Sequence, residues 1–392
     1  MNIPPIETKV KLSKNIIFLY INRLLIQTAF GLLTGFSVLF FYEKFGNSIY
    51  KTLLMYAVLY SVFMVTYHFA ASLLNKIGMR KMMIIAILGL ATMLLSRVFW
   101  DYSPLIILAT YIISSSIYKS LYWIPYHIEF ASFTDYKNRG KQVAFLYNIG
   151  AILASLLPFI GGYILTIRGY NTLFIIGVVF ALLSIIPLFK IQETHEKYTW
   201  SLKRLISEIF QEENRPIVAS TIGNGMQTTI AAIIWPIFIF ITIQNNYLKF
   251  GFILAIVAIT MVGLRWLIGT VIDKFGRSKV LKIGNTLYVT GWLFKIFIES
   301  AFGIFIVDVY HNLGGVINSL SYSVSVYDQA ADNGHYIDEF TVLTEVTFIL
   351  GQILMTLLVI PMIFFFSLKI TFILGALAAM LMVSISKAQK VN

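Results

Sequence analysis

The sequence predicts an all-α membrane protein in which twelve transmembrane helices form two pseudo-symmetric six-helix bundles. Of its 392 residues, 58% are hydrophobic and only 12% are charged, whereas charged residues approach a quarter of an ordinary soluble domain. Apolar runs of about twenty residues, the length that crosses roughly 30 Å of hydrocarbon, recur along the whole chain. A short polar loop motif also recurs once in each half of the sequence.

The apolar runs divide six and six around one long charged segment. They cover residues 15–42, 50–74, 81–99, 104–128, 142–166, 170–190, 216–243, 247–272, 279–298, 300–325, 341–366 and 368–386. We therefore predict a first bundle at 1–190, a cytoplasmic linker at 191–215 and a second bundle at 216–392. In the linker, apolar residues recur at helical spacing and predict an interfacial amphipathic helix: Trp200, Leu202, Leu205, Ile206 and Ile209. The N-terminal segment has no small-residue cleavage pattern, so we expect it to be retained.

The distribution of lysine and arginine predicts the orientation. With the first residue placed in the cytoplasm, twenty of the thirty basic residues fall in inner segments and six, including Arg97, fall in outer loops. The other four, Arg23, Lys119, Arg265 and Lys295, fall within spans. By the positive-inside rule both termini are cytoplasmic, in a plasma membrane or bacterial inner membrane. The same distribution explains the net charge of +12 without a nucleic-acid partner.

The recurring loop follows the second span of each half. It reads "GTVIDKFGRSK" at 269–279 and "ASLLNKIGMRK" at 71–81, 198 residues apart. The later copy matches G-x-x-x-D-[RK]-x-G-[RK]-x-[RK] in full and resembles the major facilitator superfamily, as do the twelve spans and the central linker. The earlier copy departs from the pattern, with Ala71, Asn75 and Met79 in place of Gly, Asp and Arg.

The resemblance implies a gating latch, in which each loop pairs with an acid at the inner end of the fourth helix of its half. Arg80 with Glu129 and Arg277 with Asp328 are the expected pairs. The predicted gating residues are Asn75, Gly78, Arg80, Glu129, Gly269, Asp273, Gly276, Arg277 and Asp328. In the fifth span, Pro158, Gly161 and Gly162 predict close helix packing.

The resemblance also implies a central cavity lined by the first and fourth spans of each half. Polar and aromatic side chains on those spans are therefore candidates for binding a solute. They are Arg23, Gln27, Lys119, Tyr122, Trp123, Tyr126, Asn224, Gln227, Asp308, His311 and Asn312.

Ionisable residues inside a membrane are costly and are therefore normally paired or face water. Arg23 and Lys119 lie too deep for easy snorkelling, and as two unmatched cations they favour an anionic or zwitterionic solute. Asp308 and His311 are one helical turn apart and are candidates for proton coupling. We expect Arg265 and Lys295 to snorkel to the interface.

These observations predict a secondary active transporter of a small organic solute that works by alternating access. The sequence contains no cysteine, and it lacks the G-x-x-x-x-G-K-[ST], H-E-x-x-H and G-x-S-x-G motifs, so we expect neither an enzyme nor a cofactor or metal. Expected partners are the solute, the lipid bilayer and coupling protons, and we expect a monomer. Two alternatives stay open: a lipid or lysolipid flippase on the same fold, and a sensor that does not transport.

Overall fold

The computed structural model describes residues 13–133, 139–192, 200–275, 277–332 and 337–383. Side chains at 68, 71–72, 74–75, 127–128, 131–132, 139–148, 265–282, 319–332 and 337–339 lie outside this description. All regular secondary structure in the described ranges is helical.

In the described part of the first half there are seven α-helices, and each of its predicted spans falls on helical structure. They are α1 (Lys14–Leu32), α2 (Phe36–Lys44), α3 (Ile49–Ile77), α4 (Met79–Ser96), α5 (Pro104–Phe133), α6 (Arg139–Leu183) and α7 (Ile185–Leu188). A 3-10 turn at Arg97–Phe99 follows α4. The fifth and sixth spans both lie in α6 and are separated at Gly169, where the backbone is not helical.

Eight more α-helices lie in the described residues of the linker and the second half. They are α8 (Leu202–Phe210), α9 (Arg215–Thr229), α10 (Trp235–Thr242), α11 (Tyr247–Phe275), α12 (Arg277–Phe294), α13 (Ala301–Asp332), α14 (Ile337–Phe365) and α15 (Thr371–Val383). Over the described residues, eight stretches are long and apolar enough to cross a membrane.

The first span of each half is interrupted rather than continuous. Between α1 and α2, Gly35 has φ 75°, a left-handed conformation that glycine adopts without steric cost. Between α9 and α10, residues 230–234 form a π-helical turn, in which the amide of Trp235 donates to the carbonyl of Ile230. Pro236 follows and has no N–H to donate, which weakens the regular helical register there. The two interruptions are separated by about the same 198 residues as the loop copies.

The two halves contact each other through symmetry-related helices. The helix of the second span in each half packs against the helix of the fifth span in the other. These pairs are α3 with α14, and α11 with the first part of α6. Glycine is required at the second contact, because a Cβ at Gly162 would meet the carbonyl of Tyr247. Within the first half, a Cβ at Gly161 would meet the carbonyl of Leu32 on α1. The predicted packing role of the Pro158–Gly162 segment is confirmed.

The linker contains a short helix, as predicted. Ser201 caps α8 by accepting a hydrogen bond from the amide of Arg204 at 3.3 Å. Leu205 is buried against the protein, whereas Leu202 and Ile206 are exposed. The side of α8 that carries Leu205 therefore packs on the protein, and the side that carries Leu202 and Ile206 faces outward.

Candidate functional site between the halves

Arg23 lies on α1 in a group of aromatic side chains from α5. Its guanidinium carbon is 4.6 Å from the ring centroid of Trp123 and 5.8 Å from that of Tyr126. Such stacking stabilises a cation away from bulk water. The structure thus brings together three of the predicted binding residues.

Lys119 lies one turn before Trp123 on α5 and forms an ion pair with the opposite half. Its Nζ is 2.8 Å from Oε2 of Glu345 on α14, and both side chains are 22% exposed. The ammonium also lies 5.7 Å from the Trp123 ring centroid, so both deep cations of the first half contact one indole. The expectation that Lys119 is unmatched was wrong, because α14 begins at Ile337, four residues earlier than predicted, and places Glu345 two turns inside the helix.

Tyrosines of α3 complete this part of the interface. Tyr67 is fully buried and lies against Glu345, and Tyr60 lies next to the hydroxyl of Thr229 on α9. Sequence reasoning missed both, because it considered only the first and fourth spans. The helical spacing of Tyr56, Tyr60 and Tyr67 was the available signal.

Two predicted binding residues make contacts within the first half. Tyr122 is fully buried and donates to Oδ1 of Asn22 at 2.8 Å, while Asn22 donates to the carbonyl of Ser184 at 2.7 Å. Gln27 donates to the carbonyl of Gly150 at 3.0 Å. These contacts join α1 to α5, α6 and the end of the sixth span.

In the second half, the predicted polar residues form a connected group. Gln227 donates to Oδ1 of Asn224 at 3.0 Å. The phenol of Tyr288, on α12, lies by Gln227, and its ring stacks on His311 with centroids 4.7 Å apart. Asn312 donates to the backbone carbonyl of Asp308 at 2.7 Å.

Asp308 pairs with Lys295 rather than with His311. The Lys295 Nζ is 3.2 Å from Oδ1 of Asp308, and their side chains are 2% and 9% exposed. The same ammonium lies 3.8 Å from the ring centroid of Trp235 and 4.5 Å from that of Trp292. The expectation that Lys295 snorkels was wrong, because the carboxylate and two indoles replace the water that it would otherwise seek.

Arg97 occupies the related position of the first half, 198 residues before Lys295. It is 1% exposed, donates to the hydroxyl of Ser37 at 2.6 Å and stacks on Phe174, 4.2 Å from the ring centroid. The side chain that the charge count placed in an outer loop is therefore buried in the first half. Each half encloses a cation in aromatic side chains at the end of its third span.

The first latch loop is described in part. Gly78 is the N-cap residue of α4 and has φ 78°, a left-handed conformation that glycine adopts without steric cost. Arg80 donates to the carbonyl of Ile191, and Glu129 is buried. The Arg80–Glu129 pair stays a prediction. Gly276 lies outside the described residues, and nothing beyond the backbone is described for Gly269 and for the side chains of Asn75, Arg265, Asp273, Arg277 and Asp328.

The arrangement of Arg23, Lys119 and Glu345 suits the binding of charged groups rather than bond cleavage. It offers two cations and one carboxylate among aromatic rings at the junction of the halves. Among the described His, Asp and Glu residues, no group of three could hold a metal ion.

Comparisons with known proteins agree with this fold. The family model described as Major Facilitator Superfamily matches residues 19–326. The solved structures that resemble the chain include a POT family transporter in complex with 5-aminolevulinic acid, with 11% identity, a TM-score of 0.71 and 96% of each chain covered. A D-xylose-proton symporter has 15% identity and a TM-score of 0.66, over 94% of this chain and 96% of that one. At these identities the likeness shows the fold alone. No curated protein matches the sequence significantly.

Proposed function

This chain belongs to the major facilitator superfamily and is a membrane transporter rather than an enzyme, and we propose that its solute is a small organic anion or zwitterion. The observation that carries the proposal is the group formed by Arg23, Lys119 and Glu345. A solute carboxylate would bind the two cations, and an ammonium group would bind Glu345. Trp123 and Tyr126 would contact the apolar body of the solute.

The two halves meet at this group, which supports alternating access. Lys119 and Glu345 belong to opposite halves, so separation of the halves breaks their ion pair. A solute carboxylate that replaces Glu345 as the partner of Lys119 would compensate for that loss. Solute binding and movement of the halves would thereby be linked.

Proton coupling is the second part of the proposal. Glu345 and Asp308 are the candidate carriers, since each carboxyl is paired with a lysine that protonation would release. The proposed location is a plasma membrane with both termini in the cytoplasm, as the distribution of basic residues predicts.

The test begins with thermal-shift measurements on purified protein against anionic, zwitterionic, neutral and lipid-like solutes. Uptake of a stabilising solute into proteoliposomes follows, with Arg23→Gln, Lys119→Gln and the double variant. Loss of one charged contact costs about 1.5–3 kcal/mol, so each single variant should weaken apparent affinity by about 10- to 100-fold. The control is Lys369→Gln, which removes a half-exposed lysine beside Glu299.

Two outcomes contradict the proposal. Uptake that survives in the double variant would exclude the cationic site. Stabilisation by lipid-like solutes alone, unchanged in Arg23→Gln, would favour a flippase instead.

A further inference from the structure

Glu43 lies at the far end of the first bundle from the start of α1, just beyond the predicted first span. It occupies the last turn of α2 and is partly buried. The hydroxyl of Tyr247, on α11 of the second half, donates to its Oε1 at 2.6 Å. The phenol of Tyr170, on α6, lies near the same carboxyl. The carboxyl of one half is therefore held by a side chain of the other.

Aromatic rings from both halves surround this contact. Phe36 and Phe250 meet edge to face with centroids 5.1 Å apart, and Phe240 stacks on Tyr247 at 5.1 Å. Tyr170 meets Tyr247 edge to face at 5.8 Å. These contacts limit the access of water to Glu43, and two of them, Phe36 with Phe250 and Tyr170 with Tyr247, join the two halves at this end.

The basic side chains near Glu43 compensate only part of the negative charge of its carboxylate. Lys44 is its neighbour in sequence, but the Lys44 Nζ is 2.7 Å from Oδ1 of Asp101. Tyr42 is the other titratable neighbour on α2, and Arg97 lies behind Tyr170. Burial raises the pKa of Glu43, and the hydrogen bond from Tyr247, the nearby phenol of Tyr170 and the charge of Lys44 only partly oppose this rise.

We propose that Glu43, Tyr247 and Tyr170 form a proton-binding site that exists only when the two halves are closed at this end. When the halves separate, Glu43 loses Tyr247 and gains water, and its pKa returns toward the ordinary value of 4.5. The closed arrangement therefore binds the proton more tightly. By linkage, acid pH stabilises closure. This stabilisation is complete below about pH 4.5 and is lost as the pH rises through the higher pKa of the closed state.

The inference rests on the separation of the halves that the proposed function requires, but its test needs no solute. The chain contains no cysteine, so a pair of introduced cysteines can carry spin labels without background. Tyr50 on α3 and Phe364 on α14 suit this purpose, since they belong to opposite halves, both are exposed, and their rings are 5.2 Å apart. Pulsed electron-electron distance measurements in nanodiscs would follow their separation with pH.

The expected result is a short distance at acid pH and a growing long-distance population toward neutral pH. Glu43→Gln should abolish this dependence, and Tyr247→Phe, which keeps the ring, should reduce it. Glu299→Gln is the matched control, because Glu299 is an exposed carboxyl that pairs with Lys369 within the second half.

A pH dependence unchanged in Glu43→Gln and Tyr247→Phe would overturn the assignment of the proton to Glu43 while leaving the movement intact. One short distance at every pH would overturn the proton-linked closure itself. Neither result bears on Arg23 and Lys119, whose role is decided by uptake.

Discussion

The ion pair between Lys295 and Asp308 allows a quantitative prediction. Removing one member of a buried ion pair costs about 3–5 kcal/mol, because the other charge stays buried without compensation. Lys295 is 1% exposed, so water cannot replace the carboxylate. Trp235 and Trp292 continue to contact the ammonium, and desolvated cation–π contacts contribute about 2 kcal/mol. We therefore expect Asp308→Asn to lower the free energy of unfolding by about 2–4 kcal/mol.

The assay is a double-mutant cycle on protein unfolded reversibly in mixed micelles. Lys295→Met removes the charge and keeps the length of the side chain, so the double variant with Asp308→Asn should recover much of the lost stability. The coupling energy should be about 2 kcal/mol. A loss below about 0.5 kcal/mol in Asp308→Asn, or additive single effects, would refute the reasoning.

The same variants test whether Asp308 carries the coupling proton. If it does, Asp308→Asn and the double variant should both lose accumulation driven by a pH gradient while retaining solute exchange. A stable double variant that still accumulates solute would limit Asp308 to a structural role.

Two further predictions concern packing within and between the halves. Gly162→Ala places a methyl group against the carbonyl of Tyr247, so it should destabilise the closed arrangement by roughly 1–3 kcal/mol and increase the long-distance population of the spin labels. The control is Gly263→Ala, in α11 with open space around it, which should leave that population unchanged. Equal effects of the two substitutions would contradict the packing argument. Asn22→Ala should cost about 2 kcal/mol of unfolding free energy, because it leaves the buried phenol of Tyr122 and a backbone carbonyl without their partner. Tyr122→Phe removes one of these hydrogen bonds together with its donor and should cost less, so a larger loss than in Asn22→Ala would count against this assignment.

Local patterns in the sequence were sufficient for the helices and for their family. The length and spacing of apolar runs predict spans, since a helix needs about twenty apolar residues to cross the hydrocarbon core of a membrane. The tight turn at Gly78 and the glycine contact at Gly162 also follow from local rules. The membership of Arg23, Trp123 and Tyr126 in one group followed from helical spacing combined with the resemblance.

The errors concern partners across the fold. Lys119 and Glu345 are 226 residues apart, and nothing in the local sequence of either predicts the other. Hydropathy also does not reveal the helix start at Ile337, which places Glu345 two turns inside α14. The prediction that Lys295 reaches the membrane interface was wrong for a different reason. Its place near the end of a span does not reveal the two indoles that its ammonium contacts.

The sequence by itself determined that this protein is a helical membrane transporter of the major facilitator superfamily, because hydropathy, loop charge and a repeated motif are local properties of the chain. Only the tertiary structure decided which charges are matched, because ion pairs depend on distances between helices. It joined Lys119 to Glu345 and Glu43 to Tyr247 across the halves, and it enclosed Lys295 with Asp308 inside one of them.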